Sequence, residues 1–368
     1  MKKHQIIGTM SGTSLDGLDI ACCEFWKNID GLWQYKILNT ATAEYNQYWI
    51  DKLSKARFLS GLDLSLLDIE LGNYFGSLIS NFIQSHNLDP ELIASHGHTV
   101  FHQPEKGLTL QIASGNCIMA QTQTTVINDF RSMDVAFGGQ GAPLVPVGDY
   151  YLYHNYDACL NLGGIANLSY SLEEKSAVAY DICFCNIILN KLANLADKKY
   201  DAEGKMAASG KLIDKLFRSL ESLEYYKLNP PKSLGIEWIE KNIFPIIEEY
   251  ACANQNMINN LLRTVTEHIA ERVNYEFEVL KAKHHQKDTL NVLVSGGGAH
   301  NKFLFQTMNL LGNPLGIEYH LADSDTTNFK EAIVFAFLGL LRSLGEDNIW
   351  ASVTGAKYNT CSGMVHNH

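Results

Sequence analysis

The sequence predicts an α/β protein of two lobes built on a repeated unit, and three glycine-rich segments carry that expectation. The first is Ile6-Ile7-Gly8-Thr9-Met10-Ser11-Gly12-Thr13-Ser14-Leu15-Asp16-Gly17, followed by Leu18, Ile20 and Cys22 alternating with Asp19 and Ala21. Period-two alternation after an apolar pair and a polar bend reads as strand, loop, strand. The second, Cys159-Leu160-Asn161-Leu162-Gly163-Gly164-Ile165-Ala166-Asn167, has the same form. Two such hairpins in two halves of a chain point to a duplicated unit with both turns aimed at a shared cleft. The third, Ser295-Gly296-Gly297-Gly298, stands between an apolar strand over 290–294 and a helical stretch from Lys302, a setting in which backbone approaches a nucleotide closely.

The remaining elements follow in order. Residues 33–38 read as a third strand and 46–60 as a helix. Leu64, Leu67, Leu71, Phe75, Leu78 and Phe82 recur at three and four residues, which makes one apolar face of a helix over 63–86 with Asp63 as its N-cap. A short strand over 92–94 precedes His96-Gly97-His98-Thr99-Val100-Phe101-His102, in which His96 and His98 are expected on the same side. Residues 125–128 form a strand ending at Asp129-Phe130-Arg131, and 138–146 a flexible loop in which Pro143 and Pro146 stop any helix. In the second half a strand over 177–180 ends at Asp181, ahead of an apolar helix over 187–195. A long helix spans 254–280, a charged loop with His284 and His285 spans 281–288, and a last helix begins at Phe329-Lys330-Glu331-Ala332. The two histidines in that loop are expected to be solvated, and the apolar run over 332–341 is too short for a membrane span and reads as a buried helix.

The 368 residues exceed the usual limit of a single core, so two domains are expected: residues 1–128 with about 345–368, and residues 129–344. A formal charge of −11 disfavours nucleic acid and anionic membranes as partners, both being polyanions. No export signal is visible, and eight cysteines without disulfide-scaffold spacing fit a reducing cytoplasm.

The first loop offers backbone N–H groups and hydroxyls suited to a phosphate chain, although the Gly-Lys-Ser/Thr ending of a Walker loop is missing. On its own it also fits a hairpin with no ligand. His96, His98 and His102 lack an adjacent acidic or thiol partner, so they read as polar lining rather than a metal site. Arg131 fits either a structural ion pair or the grip on a substrate carboxylate, for which a guanidinium fork has two-point geometry. Asp181, at a strand end, fits a site carboxylate or the N-cap of the next helix.

These motifs together resemble the superfamily of sugar kinases, acetate kinases, heat-shock ATPases and actin, and within it the 1,6-anhydro-N-acetylmuramic acid kinase family. The resemblance rests on the first glycine loop, His96 to Val100, Asn128 to Arg131, Gly138 to Pro146, Asn161 to Asn167, the Gly296 run and Glu331-Ala332, in the family's order through nearly the whole chain. It implies a two-lobed actin-like ATPase fold with a central cleft. Gly12, Thr13, Ser14, Leu15, Asp16, Gly17, Leu18 and Asp19 would then bind ATP with Gly163, Gly164, Gly296, Gly297 and Gly298. Asp16 would meet Mg2+ directly or through water. Asp181 would be the catalytic base, and Thr9, His96, His98, Arg131, Asn186 and Glu331 would bind an amino sugar. A homodimer and a role in bacterial cell-wall sugar recycling are implied by the resemblance alone.

The sequence departs from the family at one place. The usual Asp-Thr-Gly-Pro-Gly-Asn is here Asp181-Ile182-Cys183-Phe184-Cys185-Asn186, which keeps the carboxylate but replaces both glycines and bears on the shape of the sugar pocket. Three alternatives stay open: a kinase for another amino sugar, a nucleotide-binding regulator without transfer activity, and a plain ATPase.

Overall fold

The computed structural model describes residues 2–173, 175–230, 232–250, 254–284 and 287–367. Its first strands are β1 (His4–Ser11), β2 (Gly17–Lys27), β3 (Trp33–Glu44), β4 (Leu92–Gln103), β5 (Leu108–Ile112) and β6 (Val126–Asn128). They are followed by β7 (Ala158–Leu162), β8 (Ile165–Glu173), β9 (Ser176–Phe184), β10 (Leu290–Ser295), β11 (Ile317–Leu321) and β12 (Met364–His366).

Two mixed sheets result. One has seven strands in the order β12-β6-β4-β1-β2-β3 with β5 on β4, and the other has five in the order β11-β10-β7-β8-β9. In each, a hairpin starts the sheet, its second strand runs antiparallel to the first, and a later strand returns parallel beside the first: β4 beside β1, β10 beside β7. The path β3-β2-β1-β4-β6 therefore repeats as β9-β8-β7-β10-β11. This shared topology bears out the α/β class and the duplicated unit.

The chain divides into two compact units: residues 1–152, 173–177 and 329–368 form the first, and 153–172 and 178–328 the second. Residues 129–152 and 329–344, which the sequence reading places in the second lobe, belong to the first. The physical reason is visible at Gly8 of β1. A Cβ there would lie 1.9 Å from the Ala332 carbonyl oxygen and 2.6 Å from the Ala336 amide, so the strand rests directly on the Ser324–Leu344 helix. Residues 332–338 of that helix are wholly buried, as expected of the apolar run, although the helix starts five residues before Phe329.

Other expectations need adjusting. The Gly61–His86 helix is capped by Ser60, whose Oγ accepts from the Asp63 amide at 3.2 Å while donating to Asp63 Oδ2 at 2.7 Å. Asp63 thus sits inside the first turn rather than at the cap, and the reciprocal pair satisfies the helix start. Leu67, Leu71, Phe75, Ile79 and Phe82 form the buried face. The strand expected at 92–94 continues to Gln103, so the histidines lie on it. Pro146 does not stop a helix: it lies in the first turn of Val145–Leu152, where its missing N–H has no intrahelical partner to lose. Residues 281–284 end the long Gln255–His284 helix instead of forming a loop, with Lys281 Nζ donating to the Leu315 carbonyl at 2.8 Å. His285 lies outside the described residues.

Candidate active site

In the first unit, Gly12, Thr13, Ser14, Leu15 and Asp16 bridge β1 and β2, with Thr13, Ser14 and Asp16 exposed. The Leu15 amide donates to the Gly12 carbonyl at 3.3 Å, which tightens the bend. At Gly17 a Cβ would meet the Ala43 carbonyl at 2.4 Å, so this glycine serves contact with β3. At Gly12 the nearest atom is 3.4 Å away, and packing makes no such demand. Leu18 is wholly buried in the apolar cluster, so its side chain belongs to the core rather than to a ligand. Asp19 Oδ1 accepts from Thr42 Oγ1 at 2.6 Å; burial raises its pKa, the Thr42 bond opposes, and Asp16 raises it further.

Behind the loop lies a buried polar cluster. Thr9 Oγ1 donates to Ser95 Oγ at 3.1 Å across the parallel β1–β4 pair. Ser11 Oγ is 2.7 Å from Tyr45 Oη and 3.0 Å from His98 Nδ1. Burial pushes the His98 pKa down to about 4, so the ring is neutral at neutral pH. His96 and His98 turn to different partners, not to one side, because Gly97 between them has φ +76° and interrupts the pleat. A Cβ on Gly97 would also lie 2.6 Å from the Ile112 carbonyl.

His96 receives Arg131. Arg131 Nε donates to His96 Nε2 at 3.0 Å and Nη1 to the Gly141 carbonyl at 2.5 Å. His96 Nδ1 is 3.0 Å from the Gly97 carbonyl, an acceptor, which fixes the proton on Nδ1 and leaves Nε2 to accept. Burial drives the His96 pKa well down, and the Arg131 charge adds to the effect. Burial also lowers the Arg131 pKa to about 10, with Glu331 opposing, so the guanidinium stays charged at neutral pH. Although part of the Glu331 residue is exposed, desolvation of its carboxyl raises the pKa, and the Arg131 charge opposes the rise.

The loop expected to be flexible is pinned at this point. Asp134, wholly buried, accepts from the Gly141 amide at 2.8 Å and from Thr354 Oγ1 at 2.7 Å, and the Gln140 amide donates to the Thr354 carbonyl at 2.8 Å. Asp134 thereby fixes the carbonyl that orients Arg131, and no sequence pattern marked it for that role.

The second unit gathers the other glycines. The Gly163 and Gly164 carbonyls accept from the Asn186 and Cys185 amides at 3.1 and 2.9 Å, and Asn186 Nδ2 donates to the Leu162 carbonyl at 2.9 Å. Gly296, at φ +83°, lies so near that a Cβ would be 2.4 Å from Asn161 Oδ1, and one on Gly298 would be 2.8 Å from Leu162 Cβ. The second hairpin, Asn186 and the Gly296 to Gly298 run are thus neighbours, with Gly164 and Gly297 exposed.

Asp181 lies within β9, three residues before its end, and is not a helix cap. Its Oδ2 accepts from Ser233 Oγ at 3.0 Å and from the Leu234 amide at 2.8 Å. Burial raises its pKa, and these two donors hold the rise back. Both donors come from the Lys232 to Glu237 segment, 52 and 53 residues further along the chain.

The profile of the family Anhydro-N-acetylmuramic acid kinase matches residues 4–368. The chain belongs to that family. The kinase of this name from Actinobacillus pleuropneumoniae serotype 7 is 33% identical over 384 residues, covering 100% of both chains. Those from Francisella tularensis subsp. novicida and Bacillus cereus (strain Q1) are 33% and 30% identical, each covering 98% of both chains. Among solved structures, the ROK hexokinase from Thermus thermophilus covers 91% of this chain and 99% of its own at 10% identity and a TM-score of 0.41, a likeness too loose to carry an inference.

Membership sharpens the question raised by residues 182–185. The side chains of Ile182, Cys183, Phe184 and Cys185 are all wholly buried in the second unit's core, and Phe184 stacks on His268 with ring centroids 5.3 Å apart. The added bulk is taken up by the core beneath the strand. Among the described residues no helix is long and apolar enough to cross a membrane.

Proposed function

We propose that the chain is an ATP-dependent kinase that opens the internal bridge of 1,6-anhydro-N-acetylmuramic acid with water and phosphorylates the freed 6-oxygen. The products are N-acetylmuramic acid 6-phosphate and ADP, in the recycling of cell-wall sugars. The family supplies the reaction class, a phosphotransferase with an alcohol acceptor.

The observation that carries the mechanism is the setting of Asp181. Its carboxylate is partly buried, its partners are a hydroxyl and an amide rather than a cation, and its pKa is raised. Those are the properties of a general base. As Asp181 takes a proton from water, the water oxygen bonds to the anomeric carbon and the bond from that carbon to the 6-oxygen breaks. The 6-oxygen, leaving with the electron pair, bonds to the γ-phosphorus; the bond to the β-phosphate oxygen breaks and ADP departs.

In the first unit, Arg131 has Nε and Nη1 engaged by His96 and Gly141, which leaves its Nη2 end for the lactyl carboxylate of the sugar. Thr9, His98 and Glu331 would bound the sugar site. The exposed Gly12 to Asp16 loop of the first unit would offer backbone N–H groups to ATP phosphates, and within the second unit Gly163, Gly164 and Gly296 to Gly298 would offer theirs to the nucleotide. Asp16 with Asp19 nearby is a donor set that suits Mg2+, which takes one or two carboxylates and keeps water. When bound there, the ion neutralises phosphate charge.

A kinase for another amino sugar was favoured by the altered 182–185 segment, and the burial of those side chains removes that support. The test is incubation with ATP, Mg2+ and a panel of amino sugars, read by mass spectrometry. The anhydro sugar should be the preferred acceptor; preference for another, or ATP hydrolysis with no phosphosugar, overturns the reading.

A further inference from the structure

Beneath Asp181 the second unit carries a buried ion pair that the proposed chemistry does not use. Lys232 Nζ lies 2.7 Å from Glu276 Oε1, with side chains only 3% and 8% exposed. Tyr180, on the same strand as Asp181, donates from Oη to Glu276 Oε2 at 2.9 Å. The Lys232 ammonium also lies over the Tyr180 and Tyr225 rings, 5.5 and 5.2 Å from their centroids. Replacing such a pair by apolar residues is often neutral for stability, so stability alone is a weak reason for it.

What the pair does is visible in the backbone it fixes. Residues 232–235 belong to no helix or strand, so side-chain anchors, the buried ion pair and the buried Leu234, set their position. Within them the Lys232 carbonyl accepts from the Asp181 amide at 3.2 Å, and the next two residues supply Ser233 Oγ and the Leu234 N–H to Asp181 Oδ2. Tyr225 Oη also donates to the Asp181 carbonyl at 2.6 Å. Both donors converge on Oδ2, which leaves Oδ1 as the oxygen to take a proton.

We propose that Ser233 and the Lys232–Glu276 pair are positioning residues: the pair nails a three-residue cradle to the Gln255–His284 helix, and the cradle aims Asp181 Oδ1 at the attacking water. This rests on the reading of Asp181 as the base. Loss of a donor to Oδ2 weakens the carboxylate form, so the acid limb of the rate profile moves to higher pH.

The test uses the full-length protein and its kcat against pH, with KM for ATP as a control. Ser233→Ala changes an exposed side chain and should shift the acid limb upward by about half to one pH unit, the worth of one hydrogen bond. Lys232→Met should shift it likewise and lower kcat by about tenfold or more with KM for ATP unchanged, and Lys232→Arg should restore much of the rate. If Lys232→Met does not fold, Ser233→Ala and Glu276→Gln decide. An unmoved acid limb in Ser233→Ala, with Asp181→Asn inactive, overturns this inference and leaves the base assignment standing. Near-normal turnover in Asp181→Asn overturns both.

Discussion

Arg131 Nε donates to His96 Nε2 at 3.0 Å, so a permanently charged guanidinium is held by a histidine that stays neutral. The pair orients Arg131 without neutralising it, and the carboxylates of Glu331 and Asp134 nearby favour the charged guanidinium.

Arg131→Lys should therefore raise KM for the sugar by about tenfold to a hundredfold, roughly 1.4 to 2.7 kcal/mol, since an ammonium lacks the planar fork. KM for ATP should change by less than about threefold, well under 1 kcal/mol. Steady-state kinetics with each substrate varied separately checks this; an equal rise in both constants would contradict it.

Gly8 and Gly12 look alike in the sequence and differ in the structure. Gly8→Ala drives a methyl into the backbone of the Ser324–Leu344 helix and should cost about 3 kcal/mol of stability. Gly12→Ala meets nothing nearer than 3.4 Å and should leave stability within about 0.5 kcal/mol. Its effect should fall on KM for ATP, by about tenfold, because a methyl obstructs phosphate approach to the loop amides. Urea denaturation and ATP kinetics of the two variants separate packing from binding.

Asp181 gives a prediction in stability as well as in rate. Its folded pKa lies above the ordinary carboxyl value of 3.8, so folding takes up a proton there. The group contributes stability that is complete below the unfolded pKa and is lost as pH rises through the folded one. Asp181→Asn removes that cost, and its amide oxygen can still accept from Ser233 and Leu234. The variant should melt at the same temperature or higher at neutral pH while losing turnover, and a lower melting temperature in calorimetry would count against the burial argument.

Much of this arrangement was legible in the sequence. The hairpins at Gly12 and Gly163, the strand before Gly296 and the apolar helix over 332–341 are local patterns of period and glycine placement, and each is present. What escaped were long-range contacts. Nothing near Asp134 announces that it meets Thr354, nor near Ser233 that it meets Asp181, because those bonds join residues 220 and 52 positions apart. The expectation for His96 and His98 failed at Gly97, whose left-handed backbone is a property of its tertiary surroundings.

Cys183 and Cys185 are core residues in this reading, not pocket walls. Cys183→Gly should lower stability by about 1 to 3 kcal/mol, through lost burial and backbone freedom, with KM for the sugar unchanged. A variant of normal stability and altered sugar KM would place that side chain in the binding site instead.

The most direct measurement runs the reaction in 18O-labelled water with ATP, Mg2+ and 1,6-anhydro-N-acetylmuramic acid, with N-acetylmuramic acid 6-phosphate in the same water as the exchange control. Fragment masses of the product should place one labelled oxygen on the anomeric carbon, above the control, and none in the bond between carbon 6 and phosphorus. Label in that phosphate linkage, or a phosphorylated sugar with its bridge intact, would contradict water attack directed by Asp181.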